Sequence, residues 1–283
     1  MSRRLTAFCA SLAVVAAIAV ATSRLSTPTA PPDQPPAETL PGEPAPTPPR
    51  IAEGSAYENC LSTLSDDPEG AVALAESWQA AGGGEGAQHC RGLALIAAGK
   101  PAAGADVLEH LAQQSAVPPL ARASVLSQAA QAWLMVAQDD PSAAAKAASD
   151  ASLALSLSPS DADLLIIRAT ADGMIGAVTE AIDDLSQALR LDAARPDALV
   201  LRAVMRHRLS QFDLAQTDVT QALILAPDDA DALLERGTLR QRTGDVTGAR
   251  ADWEHAREAD PDSPAADQAA QNLSLLEAGS EQR

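Results

Sequence analysis

The sequence predicts an all-α protein, a right-handed superhelical solenoid built from antiparallel helix pairs. The first observation is that residue columns return every 34 positions. Two of these columns, seven residues apart, hold Ala181, Ala215 and Ala249, and then Ala188, Ala222 and Ala256. The second observation is that the recurring residues are small, as two helices require where they approach closely. This period is typical of stacked helix pairs, none of which can bury its apolar face alone.

Three consecutive units can be followed along the chain, at 162–195, 196–229 and 230–263. In each unit the first helix begins an apolar stripe at a leucine and has a small residue four positions later. These residues are Leu165, Leu199 and Leu233, and then Ala169, Ala203 and Gly237. Gly176 and Gly244 lie where the turn to the second helix is expected. Prolines end the second helices, and the acidic residues that follow are predicted to cap the next helix: Asp161, Asp228, Asp229 and Asp262.

The unit at 230–263 resembles the tetratricopeptide repeat, and the resemblance extends over 160–263. Residues that match the small, turn, aromatic and proline positions of that family are Gly237, Gly244-Asp245, Ala249, Trp253, Ala256 and Asp260-Pro261. The unit at 162–195 departs from the pattern, because Ala193 stands in place of the closing proline. The resemblance implies a protein-binding solenoid whose first helices line its concave face.

The regions on either side of these units extend the array. Residues 55–159 keep parts of the pattern, with Gly92 and Gly104 at a similar spacing, and they are predicted to form degenerate helix pairs. Residues 264–279 are predicted to form a C-terminal capping helix, because Ala265 to Ala278 reads as a helix with a more polar surface. A solenoid needs such a solvated outer face at its end.

The N-terminus indicates export. Residues 1–25 read as a signal peptide or a signal anchor, with Arg3 and Arg4 ahead of an apolar run from Leu5 to Ala21. Cleavage after Ala19-Val20-Ala21 would release the protein into the periplasm. The run also approaches the roughly 17–25 residues that span a bilayer, so an uncleaved anchor in the inner membrane stays open, with the repeats in the periplasm. Residues 26–54 are a proline-rich disordered tether, in which ten of the 22 residues from Pro28 to Pro49 are proline.

The charge of the chain argues against a nucleic-acid partner. Four arginines against three acidic residues give the first 50 residues a net charge of +1, so the remainder of this −18 chain carries −19. Binding to polyanions requires clustered Lys and Arg, and this remainder has two lysines, Lys100 and Lys146. The same acidity discourages binding to anionic membrane surfaces, so membrane contact is expected only through a retained N-terminal segment.

Cys60 and Cys90 are the two cysteines that follow the signal segment, and both fall on predicted helices. Pro68 and Pro101 mark equivalent places in neighbouring units, which would bring these two helices side by side. We expect a disulfide in an oxidising compartment. The alternative is a pair of separate buried thiols.

Arginine and aspartate recur with the repeat and are predicted to form a ladder of structural ion pairs. The arginines of the first helices are Arg168, Arg202 and Arg236, and the aspartates of the second helices are Asp184, Asp218 and Asp252. Three equal copies at a fixed period indicate a structural device, since a catalytic site is a single asymmetric arrangement. The four histidines are scattered, and no pair has metal-ligand spacing beyond the adjacent His89-Cys90. We therefore expect no catalytic residue, no metal, no cofactor and no small-molecule substrate.

A groove on the first helices is the candidate binding site. The residues expected to line it are Ile166, Ile167, Thr170, Val200, Leu201, Val204, Leu234 and Thr238, with Arg208 and Arg242 as a basic edge. The alternative is that the apolar positions pack between helices. The sequence predicts a non-enzymatic scaffold or adaptor of the cell envelope that binds a protein segment in this groove. An assembly factor for an envelope enzyme or a polymer-export complex is the alternative function.

Overall fold

The structure of the protein is a computed structural model, and it describes residues 50–281. The predicted signal segment and nearly all of the predicted tether lie outside the described residues. Within residues 50–281 there are thirteen α-helices and no strand. They are α1 (Ser55–Thr63), α2 (Pro68–Ala80), α3 (Gly84–Ala97), α4 (Pro101–Gln114), α5 (Pro119–Val136), α6 (Ala143–Leu157), α7 (Ala162–Ile175), α8 (Val178–Leu191), α9 (Pro196–Arg208), α10 (Phe212–Leu225), α11 (Ala230–Thr243), α12 (Val246–Ala259) and α13 (Pro264–Glu281). None of these helices is both long enough and apolar enough to cross a bilayer.

Local chemistry determines where many of these helices begin. Five of them start at a proline, a residue that suits the first turn because its missing N–H has no partner there: Pro68, Pro101, Pro119, Pro196 and Pro264. Asp161 caps α7 by accepting from the backbone N–H groups of Asp163 and Leu164. Asp229 caps α11 in the same way, accepting from Ala232 at 2.8 Å.

Two predicted caps are wrong. Asp228 does not cap α11, because its carboxylate bonds to Nε2 of His255 at 2.9 Å. Asp262 does not cap α13 either. Ser263 does so instead, since its Oγ accepts from the N–H of Ala266 at 3.1 Å. In both places the cap is the residue one position further along.

The 34-residue period governs helices α7 to α12. Their first helices begin at 162, 196 and 230, and their second helices begin at 178, 212 and 246. Ala193, which replaces the closing proline, does not shift this register, since α8 ends at Leu191 and α10 at the equivalent Leu225. Pro196 then opens α9.

Small residues allow the two helices of a pair to pack tightly. Ala181, Ala215 and Ala249 are fully buried. At Gly237 the approach leaves no room for a side chain, because a Cβ added there would lie 2.5 Å from Nε1 of Trp253. The large side chain of the second helix therefore fills the space that the first helix leaves open.

The first helices form the inner side of the curved array. α7 contacts α9, α9 contacts α11, and α11 contacts α13, in addition to the contacts between successive helices. Within residues 50–281 the second helices α8, α10 and α12 meet one another only marginally. Since elements on the inner side of a curve lie closer together, α7, α9 and α11 line the concave face.

The turn between the two helices of each repeat has the same backbone form. Gly176 and Gly244 have φ of 89° and 88°, and Ser210 takes the equivalent position with φ of 60°. The residue after each of them donates its N–H to the carbonyl five positions back, at 2.8–2.9 Å. Glycine adopts this left-handed form without strain, whereas serine does so at a cost.

Candidate functional site

The predicted ladder of ion pairs is formed in the structure. Each arginine holds the aspartate sixteen residues later through two N–H donors, Nε and Nη2. The distances are 2.6 and 2.7 Å for Arg168 with Asp184, 2.9 and 2.7 Å for Arg202 with Asp218, and 3.0 and 2.7 Å for Arg236 with Asp252. This two-point geometry is the strongest that arginine offers to a carboxylate.

The ladder also links neighbouring repeats. Nη1 of Arg202 on α9 donates to the hydroxyl of Ser186 on α8 at 3.1 Å, while the same guanidinium holds Asp218 on α10. Arg168 contacts Ser152 on α6 in the same way, at 3.5 Å. Each of these two arginines therefore joins three helices that belong to two units.

In two repeats a second arginine binds the ladder aspartate, and this was not anticipated from the sequence. Arg206 and Arg240 each place Nη1 on the aspartate of their repeat, at 2.6 and 2.7 Å. Asp172 occupies the equivalent position of the first repeat. Burial, followed by the charge of Asp184, raises the pKa of Asp172. The spacing of 34 between Arg206 and Arg240 was the signal that could have revealed this column.

The structure buries four of the eight apolar or hydroxyl side chains that were predicted to line the groove. Ile167, Thr170, Val200 and Leu234 are at most 8% exposed. This is a correction, and its reason is that adjacent first helices pack against each other at these positions. The remaining apolar or hydroxyl residues of the candidate groove are half-buried: Ile166, Leu201, Val204 and Thr238.

The two arginines of the predicted basic edge are exposed, and both have contacts within the protein. Nη1 of Arg208 donates to the carbonyl of Gly173 in the preceding repeat, at 2.6 Å. The guanidinium of Arg242 lies 4.0 Å from the centre of the Phe212 ring. They are therefore held in place, which reduces the entropy that a bound carboxylate would otherwise cost.

His207, beside this edge, forms a link between repeats that was also missed. Its Nδ1 lies 2.7 Å from Oε1 of Glu235 on α11, and its ring meets Phe212 edge-on at 5.6 Å. The hydrogen bond to Glu235 raises the pKa of His207. The lone aromatic residue at the start of α10 was the available signal for this cluster.

Cys60 of α1 and Cys90 of α3 are joined by a disulfide, with both residues completely buried. Next to it Nδ1 of the buried His89 lies 2.5 Å from the hydroxyl of Tyr57, and its Nε2 lies 2.7 Å from Gln128 of α5. Burial lowers the pKa of His89 and raises that of Tyr57 to about 12. This polar network and the disulfide fasten the N-terminal helices to each other.

No group of three or more His, Cys, Asp or Glu side chains in the described part of the chain could hold a metal ion. Among the buried acidic side chains of the described residues, Asp184, Asp218 and Asp252 are bound in the ladder, and Glu235 is bound to His207. The candidate site is therefore the concave face of α7, α9 and α11.

These features define a class of protein, the all-α helical-repeat solenoid. The fold is that of the tetratricopeptide repeat: the chain matches the structure of TTC0263, a thermophilic TPR protein of Thermus thermophilus, with a TM-score of 0.52 and 19% identity. This match covers 67% of the present chain and 98% of TTC0263. The predicted solenoid is confirmed.

Two structures of MamA are similar as well. MamA 41-end from Desulfovibrio magneticus RS-1 matches with a TM-score of 0.51 and 15% identity, covering 62% of this chain and 97% of MamA. A second MamA crystal structure has a TM-score of 0.51 and 17% identity, with 60% of this chain and 94% of MamA covered. No family model matches the sequence. No curated protein matches it either.

Proposed function

We propose that this protein is a non-enzymatic scaffold of the cell envelope that binds a protein segment along the concave face of α7, α9 and α11. The observation that carries the proposal is a partly open row of side chains, Ile166, Leu201, Val204 and Thr238, which ends at two exposed arginines. Half-buried apolar side chains can pack against the apolar side chains of a partner. Because their surface is already ordered, binding costs them little conformational entropy.

The charge of this face indicates what the partner carries. The last turn of α9 holds Arg206, His207 and Arg208, and the last turn of α11 holds Arg240 and Arg242. These basic residues lie at one end of the first helices, within a domain that is otherwise acidic. Arg208 and Arg242 are suited to an acidic side chain or a terminal carboxylate of the bound segment, because a guanidinium can hold a carboxylate at two points.

The envelope location is supported by two features. Residues 1–25 have the order of a basic start, an apolar run and small residues that signals have. A fully buried disulfide between Cys60 and Cys90 is typical of proteins that fold in an oxidising compartment.

The test is cross-linked affinity capture from envelope extracts with the full-length protein. The groove variant carries Leu201→Glu and Val204→Glu, and circular dichroism checks that it folds. The matched control is Ile224→Glu on α10, where the native side chain is 67% exposed. We expect a discrete set of proteins that is captured by the native protein and by the control and is lost with the groove variant.

The alternative results are equally informative. Identical captures with all three proteins would place binding elsewhere and overturn the groove. Captured proteins that belong to one envelope enzyme or one polymer-export complex would identify the scaffold as an assembly factor for it.

A further inference from the structure

The column of ladder aspartates continues one unit further back than the arginines do. Asp150 on α6 lies 34 residues before Asp184, and it is 8% exposed. α5 supplies no arginine to it, because the one charged residue of that helix is Arg122, which donates to the carbonyl of Ala112 at 3.0 Å. Asp150 is thus a buried ladder carboxyl without its cation.

Another carboxyl takes the place of the missing arginine. Asp150 is hydrogen-bonded to Glu109 of α4, and its Oδ2 is buried with no hydrogen-bond partner among the described residues. Burial, and after it the charge and the hydrogen bond of Glu109, raise the pKa of Asp150 to about 8, while Lys146 opposes this rise. A carboxylic acid and a carboxylate at one buried place can share a proton, whereas two carboxylates repel each other.

Trp133 of α5 contacts the other carboxyl of the pair. Its indole Nε1 donates a hydrogen bond to Oε1 of Glu109. An indole N–H can only donate, so Glu109 accepts this hydrogen bond, and the raised pKa of Asp150 favours the proton on Asp150. On the outer side the ammonium of Lys146 lies 3.7 Å from the centre of the Trp133 ring.

The charged groups on the surrounding helices leave this pair without further compensation. On α4, Asp106 lies 3.9 Å from Lys146, and His110 is exposed. On α7, Arg168 is bound to Asp184, and the remaining charges of that helix are Asp163 and Asp172. The charged groups that act on Asp150 are therefore Glu109 and Lys146.

We propose that Glu109, Trp133, Lys146 and Asp150 form a proton-operated joint: one proton held between the two carboxyls keeps α4, α5 and α6 packed, and its loss to solvent loosens them. This joint lies within the degenerate N-terminal helix pairs, next to the repeats that carry the proposed groove, and it does not depend on that groove. When the proton leaves Asp150, two carboxylates face each other across the α4–α6 contact, with one largely exposed lysine to offset them.

The test uses NMR of the indole N–H groups of the full-length protein. The Trp133 resonance is assigned by its loss in Trp133→Phe, and the Trp253 resonance is the internal control because its Nε1 donates to the carbonyl of Leu234. We expect the Trp133 resonance to titrate with a midpoint near pH 8, while that of Trp253 stays constant. Asp150→Asn is expected to abolish the titration, because its amide can donate to Glu109 at every pH.

Two further measurements make the test decisive. Hydrogen exchange of α4 to α6, corrected for its intrinsic pH dependence, is expected to accelerate about tenfold above the midpoint in the native protein and not in Asp150→Asn. Glu109→Gln removes the neighbouring charge and is expected to lower the midpoint of the Trp133 titration. This variant provides the test if Asp150→Asn does not fold. A Trp133 resonance that does not titrate, a titration that persists in Asp150→Asn, or uniform hydrogen exchange across the transition would each overturn the joint.

Discussion

The Arg–Asp ion pairs of the ladder predict that replacing Asp218 by asparagine destabilises the protein more than the same replacement of Asp184 does. Asp218 lies between two arginines, Arg202 and Arg206, and its side chain is 3% exposed. Asp184 binds Arg168 alone, and a second carboxyl, Asp172, lies beside it. The same substitution therefore leaves two cations without a counter-charge in one repeat and a single cation near a carboxyl in the other.

The expected magnitudes follow from this difference. Arg202 and Arg206 are 16% and 15% exposed, so Asp218→Asn leaves two nearly buried charges uncompensated, and breaking such a buried pair costs about 3–5 kcal/mol. Arg168 is 29% exposed, and in Asp184→Asn it can interact with Asp172, whose repulsion from Asp184 is removed. We expect a loss of about 1–2 kcal/mol there.

The assay is urea unfolding followed by circular dichroism, with melting curves alongside. For a domain of this size, the expected loss at Asp218 lowers the melting temperature by about 10 °C. A third protein, Asp218→Asn with Arg206→Met, removes one stranded cation and should regain part of the loss. Equal destabilisation by Asp218→Asn and Asp184→Asn would refute the reasoning, because it would show that the second arginine contributes nothing.

Three other predictions rest on single features of the structure. Ser210→Gly should stabilise the protein by about 1 kcal/mol in urea unfolding, since serine is strained at its positive φ, and Gly244→Ser should destabilise it by a similar amount; opposite signs would contradict the strain. Replacing Cys60 and Cys90 by alanine should cost about 2–4 kcal/mol, and thiol titration of the denatured, unreduced native protein should detect no thiol from this pair. The pKa of His207 is raised in the folded state, so its stabilising contribution is full below the ordinary pKa of 6.5 and is lost as pH rises through the raised value. The stability difference between the native protein and His207→Gln should shrink from pH 6 to pH 8, and a constant difference would exclude this role.

The repeat itself could be predicted from sequence because it depends on local chemistry. Leucine, alanine and glycine columns at a spacing of 34 indicate which faces of α7 to α12 meet. The residues that form each of these contacts lie within a single unit. The ion pairs Arg202–Asp218 and Arg236–Asp252 could be predicted for the same reason.

The candidate groove was less predictable, because its exposure depends on how one unit is rotated against the next. Val200 and Leu234 belong to the predicted concave row, yet the adjacent first helices pack closely enough to bury them. The sequence of a single repeat does not specify that rotation angle. Similarly, the partner of Asp150 could not be read from the period, because the turn between α5 and α6 is longer than in the other units and Glu109 comes from another pair of helices.

The arginines that reach back to the preceding unit have a mechanical consequence. Because Arg202 contacts α8 and α10 at once, an unfolding front that travels along the array cannot release one repeat without straining the next. The two repeats that Arg202 joins, 162–195 and 196–229, should therefore yield to a pulling force as one block. Asp150 on α6 has no such arginine, and its proposed link back to α4 is the proton that it shares with Glu109. Under load, that link should break before the contacts of Arg202 do.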